Sequence, residues 1–178
     1  MVMVSDYTVS YDEEENIVVE SSVISYCPMC GGVLSYRDTC ERIMLLERRE
    51  RRNYIIRRLK CHHCGKLHRE LPDCLVPYKH YAAEVISGTL DGVVTLEDDD
   101  SEDYPCAATM KKWHHWLVVN YLRMEEYLKS AGRHLSGCGE DLLKPGITLF
   151  EKWRSSNVGW LETILCLIYN SGGSLAVF

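Results

Sequence analysis

The sequence predicts an α+β protein: a strand-rich, cysteine-bearing N-terminal half followed by a helical half. Three observations predict it. Two Cys-x-x-Cys pairs, Cys27/Cys30 and Cys61/Cys64, bracket β-branched and aromatic runs. The apolar period then changes after Pro72 and Pro77, and a long stripe at helical spacing begins at residue 107. With 178 residues, 46% hydrophobic and 26% charged, the chain suffices for one ordinary domain or two small ones.

Residues 1–26 form an acidic lead that ends in one strand-like run, Ile17 to Ile24. Within the cysteine block, Val33 to Arg37, Arg42 to Leu46 and Tyr54 to Leu59 suit short strands of a hairpin. Tyr78 to Leu90 has Tyr81, Ala82, Val85, Ile86 and Leu90 at helical spacing. Residues 91–105 make an acidic loop with too few apolar groups to offset the entropy of ordering. From Ala107 to Lys129, Met110, Trp113, Leu117, Tyr121, Met124 and Leu128 recur every three or four residues as one stripe. Gly132, Gly137 and Gly139 mark a loop, and a last helix runs from about Val158 to Tyr169, capped by Ser156 or Asn157.

The net charge of −6 argues at first against a nucleic-acid partner. Its distribution argues otherwise. Residues 1–26 carry six acids and no Lys or Arg, and residues 91–103 carry seven acids and no base. Residues 41–70 hold ten Lys or Arg against four Glu. Blocks of this kind point to partner surfaces. The start, MVMVSDYTVSYDEEE, lacks a signal-peptide core, and no stretch nears the ~18 apolar residues of a membrane span. The expectation is a cytoplasmic protein with reduced thiols and no membrane partner, in which paired cysteines mean metal before disulfide.

Each Cys-x-x-Cys pair is followed by glycine, Gly31 or Gly65, which permits the tight turn that sets two thiolates side by side. Cys27, Cys30, Cys61 and Cys64 can therefore supply four sulfurs to one structural Zn2+ in a zinc-ribbon hairpin. A ligand set in which His62, His63 or His68 replaces a cysteine competes with it, as does a redox or disulfide pairing. The remaining cysteines, Cys40, Cys74, Cys106, Cys138 and Cys166, have no partner at ligand spacing and read as small buried hydrophobes. Arg48, Arg49, Arg51, Arg52, Arg57, Arg58 and Lys60 flank Tyr54-Ile55-Ile56, and strand alternation can array several of them on one surface toward phosphates. The plainer alternative is a solvated face, partly offset by Glu47 and Glu50.

The run from Cys61 to Asp73, CHHCGKLHRELPD, with Val76-Pro77-Tyr78-Lys79-His80-Tyr81 after it, resembles the zinc ribbon that opens many bacterial insertion-sequence transposases. A related family of short bacterial proteins shares that ribbon, and the resemblance covers roughly Cys27 to Leu117. It implies that the ribbon runs into a helix-turn-helix, with Tyr78 to Leu90 the first helix and Ala107 to Leu117 the recognition helix. Burying Met110, Trp113 and Leu117 then turns Lys111, Lys112, His114 and His115 toward a groove, with Thr109 near the helix start. The acidic loop is far longer than the ~3–4-residue turn of that motif. Acids beyond residue 120 are scattered and offer no metal-binding pair for strand transfer.

The segments are therefore 1–26, the acidic lead with one strand; 27–76, the four-cysteine zinc ribbon; 77–130, helix-turn-helix-like with the acidic loop; and 131–178, a C-terminal loop and helix. The expected function is non-catalytic DNA binding, by a regulator or mobile-element remnant. Contacts are expected from the ribbon cations and from Thr109, Lys111, Lys112 and His115. The rival is a protein–protein adaptor or homodimer using Trp113, Trp116, Trp153 and Trp160, with the metal as a staple only. No phosphate loop or nucleophile elbow marks an enzyme, and no small-molecule substrate is inferred. Residues 91–103 are also expected to fold back over the arginines and compete with phosphate.

Overall fold

The computed structural model describes residues 1–47, 50–95, 105–134 and 148–177. Six strands come first: β1 (Val2–Val4), β2 (Thr8–Tyr11), β3 (Ile17–Glu20), β4 (Leu34–Leu45), β5 (Arg51–Cys61) and β6 (Leu67–Pro72). Four helices follow among the described residues: α1 (Ala83–Leu90), α2 (Ala107–His134), α3 (Leu149–Ser156) and α4 (Trp160–Asn170). The expected strands-then-helices order holds, as one curled mixed sheet covered by helices.

β5 organises the sheet. β4 pairs antiparallel along its whole length, from Leu34–Cys61 to Leu45–Arg51. The other edge is shared: β3 lies parallel at Tyr54 and Ile55, and β6 antiparallel at Arg58 to Lys60. β2 extends β3 and β1 extends β6, giving the order β1-β6-β5-β3-β2 with β4 on β5. The two short runs expected in the first arm are one strand, which absorbs an extra residue between Tyr36 and Asp38 as a bulge.

The acidic lead forms three strands where one was expected. Four of its six acids, Asp12 to Glu15, fall in one turn. Asp12 Oδ1 accepts from the amides of Glu14 and Asn16 at 3.0 and 2.8 Å, and Glu15 takes a left-handed φ of 61°. That turn closes the β2–β3 hairpin, while Val2-Met3-Val4 is buried parallel to β6. The outward amide and carbonyl of Met3 are satisfied by one side chain, Asn170 of α4, at 2.8 and 2.9 Å.

One core joins the sheet to the helices. Met3, Ile17, Tyr54, Ile56 and Leu71 meet Ile86, Trp113, Met124, Phe150, Trp160 and Leu165, so all four sequence segments contribute. The α2 stripe read from spacing is the buried one. Asn120, also buried there, exchanges bonds with Ala176 and docks the C-terminal segment. α1 begins later than expected because residues 78–82 lock onto the end of β4: Leu45 N donates to His80 O, and Ala82 N to Leu45 O. α4 starts after Gly159, at φ +73°, rather than at Ser156 or Asn157, because a further helix, α3, occupies 149–156 and ends at Asn157. Residues 96–104 of the expected acidic loop, and Cys138 with Gly137 and Gly139, lie outside the described residues.

α3 is tied to α2 by a buried acid. Glu125 accepts from Leu149 N and Phe150 N at 3.1 and 2.7 Å and pairs with Lys129 Nζ at 3.0 Å. Burial opposes its charge, but these donors outweigh burial and hold its pKa below the ordinary glutamate value. Its contribution is thus complete above the unfolded-state pKa and is lost as pH falls through the folded one. Glu125→Ala strands two amides and should cost about 1–3 kcal/mol in chemical denaturation at neutral pH. The deficit relative to wild type should shrink in acid; an equal deficit at every pH would contradict the assignment.

Candidate metal centre

The first knuckle precedes β4 and the second follows β5, so the hairpin that joins these strands brings both to one end of the sheet. Each is closed by a backbone bond to the first cysteine's carbonyl, Gly31 N to Cys27 O at 2.8 Å and Gly65 N to Cys61 O at 3.1 Å. Gly31 and Gly65 stand at φ +70° and +71°, a region that glycine enters at no steric cost. Gly32 is needed for space: a Cβ there would lie 3.0 Å from Cys61 Sγ and 2.8 Å from His63 Cβ.

Cys27, Cys30, Cys61 and Cys64 are arranged to hold a metal ion, their Sγ atoms all within 4.8 Å of one another. Across the two knuckles, Cys27–Cys64 and Cys30–Cys61 are 3.7 and 3.5 Å apart. A tetrahedron with metal–sulfur bonds of ~2.3 Å has edges of about 3.8 Å, whereas a disulfide needs ~2.05 Å. Alternate thiols are buried, Cys27 and Cys61, while Cys30 and Cys64 lie at the surface. The amide of Cys64, then that of His63, stabilises the Cys61 thiolate against burial, and its pKa falls to about 6. Of the rival histidine ligands, none joins the four-sulfur group, and His62 and His63 are exposed.

His68 instead supports the centre from behind. Buried on β6, it sets Nε2 3.4 Å from Cys27 Sγ and Nδ1 2.9 Å from the Met1 amine. Burial, then that amine, lowers its pKa. Beneath the thiols lies a small cluster of Val2, Cys27, Leu34, Leu59 and Cys61, separate from the main core. The knuckle also abuts the helical half, since a Cβ on Gly172, after α4, would fall 2.5 Å from Pro28 O.

The cations expected on one common surface are distributed differently. Tyr54 and Ile56 face the main core, while Leu59 and Cys61 face the thiol cluster on the opposite side, so residues of β5 with even and odd numbers project apart. Arg52 and Arg58 fall on one side, Arg51 and Arg57 on the other. Arg57 is committed to the fold: its Nε bonds Glu70, only 2% exposed, at 2.5 Å, and its Nη2 bonds Ser21 O. Glu70 in turn accepts from Ser25. Arg58 grips Asp38 with two bonds, at 2.6 and 2.5 Å, and Arg52 pairs with Glu50 at 3.0 Å. Arg51 donates to Asn53, Lys60 is exposed, and Arg48 and Arg49 lie outside the described residues.

On α2, Lys111, Lys112, His114 and His115 are exposed, and Thr109 Oγ1 lies 3.3 Å from Cys106 Sγ. Trp113, Trp116 and Trp160 are core residues, leaving Trp153, 38% exposed, as the one of the four at the surface. Of the other cysteines expected to be buried, Cys40, Cys74 and Cys166 are half-buried. Cys106 is exposed, because it lies just ahead of α2, outside the buried stripe of that helix. No helix among the described residues is long and apolar enough to cross a membrane.

Residues 27–113 match the model of a domain of unknown function, DUF6431, a span that runs from the first metal-site cysteine to Trp113 of α2. No curated protein and no solved structure matches the chain. That description names neither a transposase nor a zinc ribbon, and carries no activity with it.

Gly32→Ala tests the centre. The added methyl presses on His63 Cβ and, less closely, on Cys61 Sγ within the second knuckle, so the variant should bind zinc or cobalt more weakly than wild type in a competitive chelator titration. Wild type should carry one equivalent of metal. A wild type that takes up no metal would show that the four thiols do not close on a single ion.

Proposed function

We propose that this protein is a zinc-stabilised DNA-binding protein that does not cut its target. Zinc is the metal that four thiolates at tetrahedral spacing favour, and a closed set of four leaves no open position for a substrate. It braces the β4–β5 hairpin as a ribbon, where the small thiol cluster alone buries too little to hold the strand ends. The helical half then supplies the reading element, α2, with α1 as its support in a helix-turn-helix-like pair.

The observation that carries this reading is the outer face of α2 at its start. Lys111 and Lys112 are exposed there with no acidic partner among the described residues, one turn from the buried Trp113 and Trp116 that fix the helix on the sheet. Cations carried on a rigid helix end suit backbone phosphates and groove edges. The ribbon contributes Lys60, and Arg51 and Arg52 at the hairpin end; Arg57 and Arg58 act mainly through Glu70 and Asp38. A second reading, the adaptor, is favoured by Val118 and Leu122, 72% and 74% exposed on the same helix.

Titration of labelled duplex DNA separates the two. With about five phosphates neutralised, log affinity should fall against log salt with a slope of about −4 to −5. Lys111→Ala with Lys112→Ala should flatten that slope by about 2. Absent binding at low salt, or a slope near zero, overturns the DNA reading and leaves Val118 and Leu122 as the surface to test.

A further inference from the structure

Strand β4 lies on β5 along one edge, and its other edge is closed only at the two ends. At the start, Leu34 N donates to Ser25 O. At the end, Leu45 N donates to His80 O, and Leu45 O accepts from Ala82 N. Both residues therefore turn backbone polar groups away from β5. In an antiparallel ladder that orientation alternates from one residue to the next. Counting back from Leu45 through the regular stretch, Ile43, Glu41 and Thr39 also face outward. Their amides and carbonyls have no partner among the described residues, and Thr39 and Glu41 are exposed.

An open edge of this kind invites another strand. Charges and a bulge discourage unrelated strands, and β4 carries both: Arg37 at the bulge, then Asp38, Glu41 and Arg42. These features still admit a second copy of β4. Across an antiparallel pair, outward residues must face outward residues. A two-fold pair centred on Glu41 sets two carboxylates against each other, and one centred on Arg42 opposes two guanidinium groups. Centring on Thr39 runs the ladder through the bulge, and centring on Ile43 needs Leu45, whose edge is taken. Centring on Cys40 meets none of these conflicts.

That register opposes Asp38 of each copy to Arg42 of the other. Thr39 and Glu41 then face each other and exchange about four backbone hydrogen bonds in all. Asp38 and Arg42 lie on the face of β4 that carries Cys40 and the buried Met44. Arg42 has no ion pair among the described residues. Its Nη2 donates to Lys79 O at 2.9 Å, and its Nε is buried without an acceptor. Asp38 is held by Arg58 within its own sheet, but its side chain is 36% exposed and has lone pairs for a second donor. The bulge at Arg37 falls opposite Ile43 of the other copy. The strand bends there and leaves the edge before Leu45, where residues 80–82 already sit.

We propose that this chain forms a two-fold dimer through the open edge, β4 pairing antiparallel with β4 of a second copy about Cys40. It stands apart from the DNA reading, since the contact uses neither α2 nor β5. One strand pair is a small interface, so the association belongs at the weak end of specific contacts.

The test follows the full zinc-loaded chain by analytical ultracentrifugation at concentrations up to about 1 mM. Wild type should pass from monomer to dimer as concentration rises. Thr39→Pro removes an outward donor that the β5 ladder does not use, so it should stay monomeric. Thr39→Val keeps that amide and should dimerise like wild type. Bound zinc in each variant reports that the fold is kept. A second readout needs no proline. Cα atoms of a non-hydrogen-bonded antiparallel pair lie about 4.5 Å apart, within disulfide reach. Mild oxidation with diamide should therefore trap a wild-type dimer that Cys40→Ser does not form.

A monomer at every concentration overturns the proposal. A dimer that persists in zinc-loaded Thr39→Pro, or a trapped dimer that survives Cys40→Ser, places the contact elsewhere and overturns it too. A dimer in which Cys40 traps nothing overturns the register.

Discussion

Everything in the sheet hangs on the double-sided demand of β5. Its 11 residues are paired along one edge by β4 and along the other by β3 and β6 in succession. Its two ends also bury opposite faces, Tyr54 and Ile56 in the main core and Leu59 and Cys61 beneath the thiols. A strand used this way fixes the register of all its neighbours, because a slip by one residue would exchange core and solvent along its length. The metal-site cysteines inherit their geometry from that register. Leu34–Cys61 pairing sets the second knuckle beside the first.

The same constraint explains where the charges go. Arginines on β5 cannot share one surface when both faces carry buried residues, so they serve in different ways. Arg57 neutralises the buried Glu70 and reaches Ser21 O, tying β5 to β6 and to the segment before the first knuckle. Arg58 is matched by Asp38 on the bulged strand. Arg42 turns instead to the Pro77–Tyr81 link, where its Nη2 donates to Lys79 O. Two asparagines play comparable parts at the margins: Asn170 closes the outer edge of β1 and Asn120 holds the C-terminal segment, each by an exchange of amide bonds with a backbone that has no strand partner there.

Much of the architecture is legible in the residues alone. Cys-x-x-Cys-Gly is a local motif whose turn geometry follows from spacing and from glycine, so the metal-site residues can be named without coordinates. The α2 stripe is equally local, since a 3.6-residue period needs no partner to be seen. Less legible were β1 and the β2–β3 hairpin. Their acids look like a solvated lead until Asp12 is recognised as a turn former, and a three-residue strand such as Val2–Val4 has no period to detect. α3 was missed for the same reason, being eight residues long and dependent on Glu125 and Thr148 for its start.

What the sequence determined by itself was the chemistry of the metal site, the order of strands before helices and the buried face of α2, all consequences of short-range spacing. Only the tertiary structure decided which cations remain available. Whether an arginine faces an acid depends on strand register and on a bulge at Arg37, which pair residues 20 positions apart in the chain, as with Asp38 and Arg58. Charge along the sequence located the basic segment. The folded sheet distributed it over two faces and neutralised part of it.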